Sequence, residues 1–261
     1  MEQFLKPQPI TRRRFGALAL CALAPVTSAG ACHAKTTEQR SPNDEGQIFV
    51  RPRVGVTTSG SGTVALELGR SRDGILQIPQ GALDVPLPLL VLLHGAGGSG
   101  AGVLRRLGSI ANDTGVAVLA PDSRASSWDA IRGEFGPDVT FISRALERTF
   151  EMVAVNPARV SVGGFSDGAT YALSLGLING ELFRRVLAFS PGFLVPGTPH
   201  GKPEFFISHG TEDPILPIER CSRPIVRSLQ KRGYEVTFRE FQGGHEVPPA
   251  IAREGLKWVR G

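Results

Sequence analysis

The chain has 261 residues, 41% of them apolar and 20% charged, which is the length and balance of one full-sized globular domain. Its formal charge of +5 is concentrated at the start: 25 of the 29 basic and 23 of the 24 acidic residues follow residue 31. The remainder is therefore close to neutral, which excludes a nucleic-acid surface built on a basic stripe.

Residues 1–31 read as an export signal. Lys6 and Arg12–Arg14 form a basic start, and the apolar stretch from Phe15 to Val26 is too short to span a bilayer as a stable anchor. Thr11-Arg12-Arg13-Arg14-Phe15 resembles the twin-arginine motif, which implies export of a folded protein to the bacterial periplasm or beyond. Ala29-Gly30-Ala31 fits a cleavage site before Cys32 and also forms a weak lipobox with Cys32 as the lipidated residue. Ala29 stands where a lipobox prefers Leu, so a soluble product is favoured over a lipid anchor. Cys21 leaves with the signal; Cys32 and Cys221 alone imply no disulfide framework. Residues 32–47 are polar and read as a flexible leader, with the domain running from 48 to 261.

From Ile48 onward the pattern is regular. Residues 63–68 and 74–79 predict two short strands joined by a turn, and 88–95 predicts a buried strand, apolar throughout. A helix over about 101–113, a strand at 115–121 and a helix at about 137–153 follow. Strands at 159–166, 184–191 and 202–210, a helix at 167–178, a helix at about 217–232, a strand at 235–241 and a helix at 248–260 complete the chain. Eight strands, antiparallel first and then alternating with helices, predict an α/β domain with one mostly parallel sheet covered on both faces. No internal repeat and no second domain are expected.

The loop after the third strand carries Gly95-x-Gly97-x-x-Gly100, with Asp122 about twenty residues on. That is the spacing of a dinucleotide-binding fingerprint. Two antiparallel strands before it and His94 in the loop weigh against that reading. Asp122 reads instead as a helix cap or loop anchor.

Three other strand ends carry chemistry. Gly164-Phe165-Ser166-Asp167-Gly168 is a G-x-S-x-G, set between an apolar strand and an Ala/Leu-rich helix, as a serine on a sharp strand-to-helix turn requires. Such a serine needs a base oriented by a carboxylate, in the chain order Ser, acid, His. Of the five histidines, His33 lies in the leader, His94 and His209 close strands before Gly, and His200 lies in a Pro/Gly loop. His245, after the last strand and before the last helix, is placed as the base. The loop "HGTEDPILP" offers Glu212 and Asp213; Asp213 is preferred because Pro214 fixes the turn that follows it.

"LLHGAGG", "GGFSDGA", "HGTEDPILP" and "GGH" in this order resemble the α/β-hydrolase superfamily, most of all its carboxylesterase/phospholipase and dienelactone-hydrolase-like serine esterases, over residues 62–260. The resemblance implies an α/β-hydrolase fold and hydrolysis of carboxylic esters by Ser166, Asp213 and His245, with no metal or cofactor required. It also implies an oxyanion hole from the backbone N–H groups of Ala96 and Asp167. Asp167 is a departure, since many relatives have Gln or a small residue after the nucleophile. Caps in this fold are usually inserted before the strand at 202–210, and "SPGFLVPGTPHGK" is too short for one. An open site is expected, walled by loop 123–135, with Trp128 lining the substrate side. Such a site suits a small soluble ester, a feruloyl-type aryl ester or an exposed polyester such as a polyhydroxyalkanoate. A serine peptidase would need an added domain for peptide capture. A non-catalytic binding protein of the cell envelope would have no use for all three residues.

Overall fold

The computed structural model describes residues 46–69, 71–81 and 85–261. The expected signal, cleavage site, Cys32 and residues 32–45 of the leader lie outside the described residues. Gly46 and Gln47, assigned to the leader, already belong to the domain. The Gly46 carbonyl accepts from Asn179 Nδ2 at 2.8 Å, and Gln47 Nε2 meets His200 Nε2 at 2.8 Å.

Eight strands form one sheet: β1 (Gly62–Ala65), β2 (Gly74–Ile78), β3 (Leu87–Leu93), β4 (Ala117–Pro121), β5 (Val155–Phe165), β6 (Arg185–Phe189), β7 (Glu204–Gly210) and β8 (Val236–Phe241). Their spatial order is β1-β2-β4-β3-β5-β6-β7-β8. β2 runs antiparallel to β1 and β4, and every other pairing is parallel. Among the described residues five α-helices pack on the sheet: α1 (Gly100–Thr114), α2 (Pro137–Met152), α3 (Asp167–Ile178), α4 (Ser222–Lys231) and α5 (Pro249–Arg260).

The sheet is buried on both faces, which is why β3 reads as an unbroken apolar run. Leu89, Val91 and Leu93 point to one core with residues of α2, α3 and α4. Leu90 and Leu92 point to the other, under α1 and α5. α3 is buried along almost its whole length, and its sequence is apolar on all sides to match.

Local signals set the helix ends. Ser99 caps α1, its Oγ accepting from Gly102 N at 3.1 Å, and Gly115 ends it in the left-handed region at φ 71°. Asp122 anchors the start of the same helix, its Oδ1 accepting from Gly100 N at 2.7 Å. α4 begins at Ser222, not at 217. Pro224 has no N–H to give to a carbonyl four residues back, so a helix can start only just before it. Residues 217–220 form turns instead, with Arg220 and Cys221 both donating to the Pro217 carbonyl. β5 begins four residues earlier than expected. Its pairing with β3 shifts register between Leu87 and Leu89, beside a stretch that includes the donor-less Pro157.

Candidate active site

The carboxyl ends of β3, β5, β7 and β8 lie along one edge of the sheet, where open α/β sheets bind ligands. Each delivers one sequence motif to that edge.

Ser166 follows β5 at a turn with φ 58° and ψ −121°, a strained conformation for a residue with a side chain. The flanking glycines make the turn possible. A Cβ on Gly168 would lie 2.3 Å from the Leu93 carbonyl oxygen and 2.5 Å from that of His94; one on Gly164 would lie 2.5 Å from Gly168 backbone. The turn is held by Ser166 N donating to the Phe189 carbonyl at 3.0 Å. α3 starts at the next residue, so the Ser166 side chain stands at a helix N-terminus, where developing negative charge is favoured.

His245 Nε2 lies 2.9 Å from Ser166 Oγ, and His245 Nδ1 lies 2.6 Å from Asp213 Oδ2. A carboxylate only accepts, so Nδ1 carries the proton and Nε2 accepts from the serine hydroxyl. The Phe165 ring lies 4.7 Å from the imidazole, centroid to centroid, and steadies it. Asp213 Oδ1 accepts from Ile215 N and Leu216 N, both at 2.9 Å. Burial alone would raise the Asp213 carboxyl. The Leu216 amide, the His245 ring and the Ile215 amide outweigh it and hold the group below the usual carboxylate range. Glu212, the alternative acid, is exposed, and among the described residues its carboxylate meets only Gln242 Nε2, at 3.4 Å.

Two further histidines support this array. His209, fully buried, donates from Nε2 to the Leu216 carbonyl at 2.7 Å and lies 3.2 Å from Asp213 Oδ2. Its Nδ1 accepts from Ser222 Oγ at 2.6 Å, and burial holds it below the ordinary imidazole value. The Asp213 carboxylate thus sits between two imidazoles. No pattern in the sequence signals this contact, since the four residues from His209 to Asp213 span a strand end and a turn, not a turn of helix. His94, also lowered by burial, accepts at Nε2 from Ser123 N at 3.0 Å and donates from Nδ1 to the Gly95 carbonyl at 2.7 Å. It fixes the loop Gly95–Ser99 against the sheet.

That loop runs beside the serine: a Cβ on Gly95 would lie 3.3 Å from Ser166 Cβ. Among the described residues, the amides of Ala96 and Asp167 have no protein acceptor, whereas Gly97 N and Gly98 N are bound to the carbonyls of Ser126 and Gly95. The Asp167 carboxylate turns away to accept from Ser127 Oγ at 2.5 Å.

Around Ser166 lies an open cleft of about 1030 Å³. Its walls are the Gly95–Ser99 loop, α1 from Gly102 to Leu107, Ile215, and Glu246–Val247 beside His245. Loop 123–135 contributes nothing to them, and Trp128 is not brought to the site. Its indole is 1% exposed, packed between the rings of His94 and Tyr171 at 4.9 and 5.3 Å, with Nε1 donating to the His94 carbonyl at 2.8 Å. The loop folds inward because two carboxylates bind its own amides. Asp138 accepts from Arg124 N and Asp129 N, and Asp129 accepts from Ala130 N, Gly136 N and Asp138 N. Between β6 and β7 the described chain has no helix or strand, so no cap covers the cleft from there.

The sheet order and the serine turn at its carboxyl edge define an α/β-hydrolase fold. Residues 136–255 match the Phospholipase/Carboxylesterase family, to which this part of the chain is similar. NocK of Nocardia uniformis subsp. tsuyamanensis, which bears the name of an esterase, is 29% identical over 185 residues, 66% of this chain and 53% of that protein. Acyl-protein thioesterase 1 of Emericella nidulans is 29% identical over 115 residues, 40% of this chain and 48% of that one. The chain thus spans about half the length of these relatives. Among solved structures, the Bacillus cereus carboxylesterase superposes with a TM-score of 0.57 at 21% identity, over 73% of this chain and 94% of that one.

Proposed function

We propose that the protein is a serine esterase that cleaves carboxylic esters through an acyl-enzyme. The observation that carries this reading is the continuous chain from Asp213 Oδ2 through His245 to Ser166 Oγ, at 2.6 and 2.9 Å, opening on a cleft. In the proposed reaction His245 Nε2 takes the Ser166 proton as Oγ attacks the ester carbonyl. Asp213 holds the imidazole in the accepting tautomer and stabilises its cation. The free amides of Ala96 and Asp167 receive the oxyanion. The alcohol leaves with the proton from His245. Water then repeats the sequence on the acyl-enzyme, returning its proton to Ser166.

The names of the matched relatives, an esterase and a thioesterase, support this class of bond. The absence of a helix between β6 and β7 supports short, accessible esters over long lipids. Residues 1–31 support a place of action outside the cytoplasm.

The test is Ser166→Ala, measured by fluorophosphonate labelling and by hydrolysis of nitrophenyl esters of graded chain length. Both signals should vanish while the circular dichroism spectrum is retained, and the wild type should prefer four-carbon over sixteen-carbon acyl chains. Near-normal turnover by folded Ser166→Ala would remove the mechanism. A sharp rise in rate above the solubility limit of the long ester would mark a lipase instead.

A further inference from the structure

One wall of the cleft carries charge that the proposed chemistry does not use. Arg105 and Arg106 lie on α1 and face the cleft that holds Ser166. Both are exposed, and among the described residues neither takes part in an ion pair. Some surface arginines are tied down, as Arg223 is by Glu219 at 2.9 Å and Glu240 at 2.7 Å, while others, Arg132, Arg144 and Arg227 among them, are exposed with no ion pair among the described residues. What sets Arg105 and Arg106 apart is their place at the cleft that holds Ser166. Arg105 folds back along the helix toward the oxyanion loop. Its Nη2 would stand 3.7 Å from a Cβ on Gly102, one turn nearer the helix start.

The carboxylate at the cleft is that of Glu246, which is exposed and takes part in no ion pair among the described residues. Two guanidiniums against one carboxylate leave the α1 wall positive, although the domain as a whole is nearly neutral. The rest of the lining is uncharged: glycines, apolar side chains such as Val103, Leu107, Ile215 and Val247, and the polar Ser99 and Ser166. An ester in this cleft therefore meets one cationic flank beside a largely uncharged lining.

Resting on the esterase reading of Ser166, we infer that the preferred substrates are esters carrying a carboxylate on their acyl or alcohol portion, bound by Arg105 and Arg106. Guanidiniums suit this role because their planar fork matches a carboxylate and stays charged at every working pH. The site is open, so each pair contributes what a solvated ion pair contributes. For two arginines that is about a 3- to 30-fold gain in kcat/KM over a neutral ester.

The experiment compares matched esters at both ends of the bond. 4-Nitrophenyl hydrogen adipate against 4-nitrophenyl heptanoate places the carboxylate on the acyl side. 3-Carboxyphenyl butanoate against phenyl butanoate places it on the alcohol side, with leaving groups of similar basicity. The wild type should favour the charged member of at least one pair by the stated factor. The preference should shrink toward unity as salt rises from about 20 to 500 mM, as screening at an exposed site demands. In Arg105→Gln with Arg106→Gln the charged-to-neutral ratio should collapse toward one. Glutamine is a good helix former, so α1 is kept, and a melting curve checks it. No preference in either pair overturns the inference, as does a preference that survives the double substitution. Calorimetric binding of the same esters to Ser166→Ala judges the inference without turnover. If the wild type hydrolyses neither member, the esterase reading falls. Tighter binding of the charged ester, lost with the two arginines, would still sustain the cationic subsite.

Discussion

Asp213→Asn changes one atom and should disable the site by reversing a proton. The two oxygens of Asp213 face different partners. Oδ1 accepts from the Ile215 and Leu216 amides, both at 2.9 Å; Oδ2 faces His245 Nδ1 at 2.6 Å and His209 Nε2 at 3.2 Å. In the asparagine variant the carboxamide oxygen must take the Oδ1 place, because an NH₂ there would confront two N–H donors. The NH₂ then faces His245 Nδ1 and can only donate to it. His245 shifts its proton to Nε2, which lies 2.9 Å from Ser166 Oγ. An Nε2–H donates to the serine and cannot take its proton. The base is lost without any change of shape. The expected fall in kcat is on the order of 10³- to 10⁴-fold, or about 4 to 5.5 kcal/mol of transition-state stabilisation. Asp213→Ala removes the carboxylate but forces no tautomer, so it should lose no more than the asparagine variant. Glu212→Gln, on the exposed neighbour, should stay within about twofold of wild type. Steady-state hydrolysis of a short nitrophenyl ester measures all three, with a melting curve for each. A folded Asp213→Asn protein within about tenfold of the wild-type rate would refute the tautomer argument.

Trp128→Phe should lower stability and leave KM for a short ester nearly alone, because the lost group is the buried indole N–H that serves the His94 carbonyl. Urea unfolding should show a loss of about 1–3 kcal/mol, and a rise in KM without that loss would return Trp128 to the substrate wall. The Asp213 carboxyl is held below its unfolded value, so its ionised form adds stability that is present above about pH 4 and lost as pH falls through the lowered value. The stability gap between wild type and Asp213→Asn should accordingly narrow from about pH 5 to pH 2, and a constant gap would mean that the carboxylate is not favoured by folding. Arg12→Lys with Arg13→Lys keeps the charge of the N-terminus but removes the arginine pair. The precursor should then accumulate in the cytoplasm of a bacterial host, and unchanged export by cell fractionation would indicate the general secretory route.

The sheet was legible in the sequence because its physics is local. A strand buried on both faces must be apolar at every position, and Leu87–Leu93 is, apart from Pro88. The four strand-end motifs were legible for a related reason: tight turns and close backbone approach leave few residue choices, so Gly164 and Gly168 announce the turn that lifts Ser166. The choice between Glu212 and Asp213 was less secure, since both stand in one turn. The amides of Ile215 and Leu216 hold Asp213 against His245 and leave its neighbour in water, which favours Asp213.

The walls of the cleft were not legible, and the reason is also physical. Polar residues in a long loop serve water or the loop's own backbone, and composition does not distinguish the two. Loop 123–135 uses Asp129 and Asp138 to bind its own amides, which frees Trp128 to go inward. Its length suggested a wall, but its carboxylates made it part of the core. α1 shows the converse. Val103, Leu104 and Leu107 face inward as any amphipathic helix requires, so Arg105 and Arg106 read as an ordinary solvated face. What gives that face its place is the loop before it. Gly95–Ser99 lies beside Ser166, and the helix capped by Ser99 therefore begins at the edge of the cleft. The geometry that brings the Ala96 amide to the serine thus also brings the two arginines to the same cleft, within reach of the ester proposed to bind there.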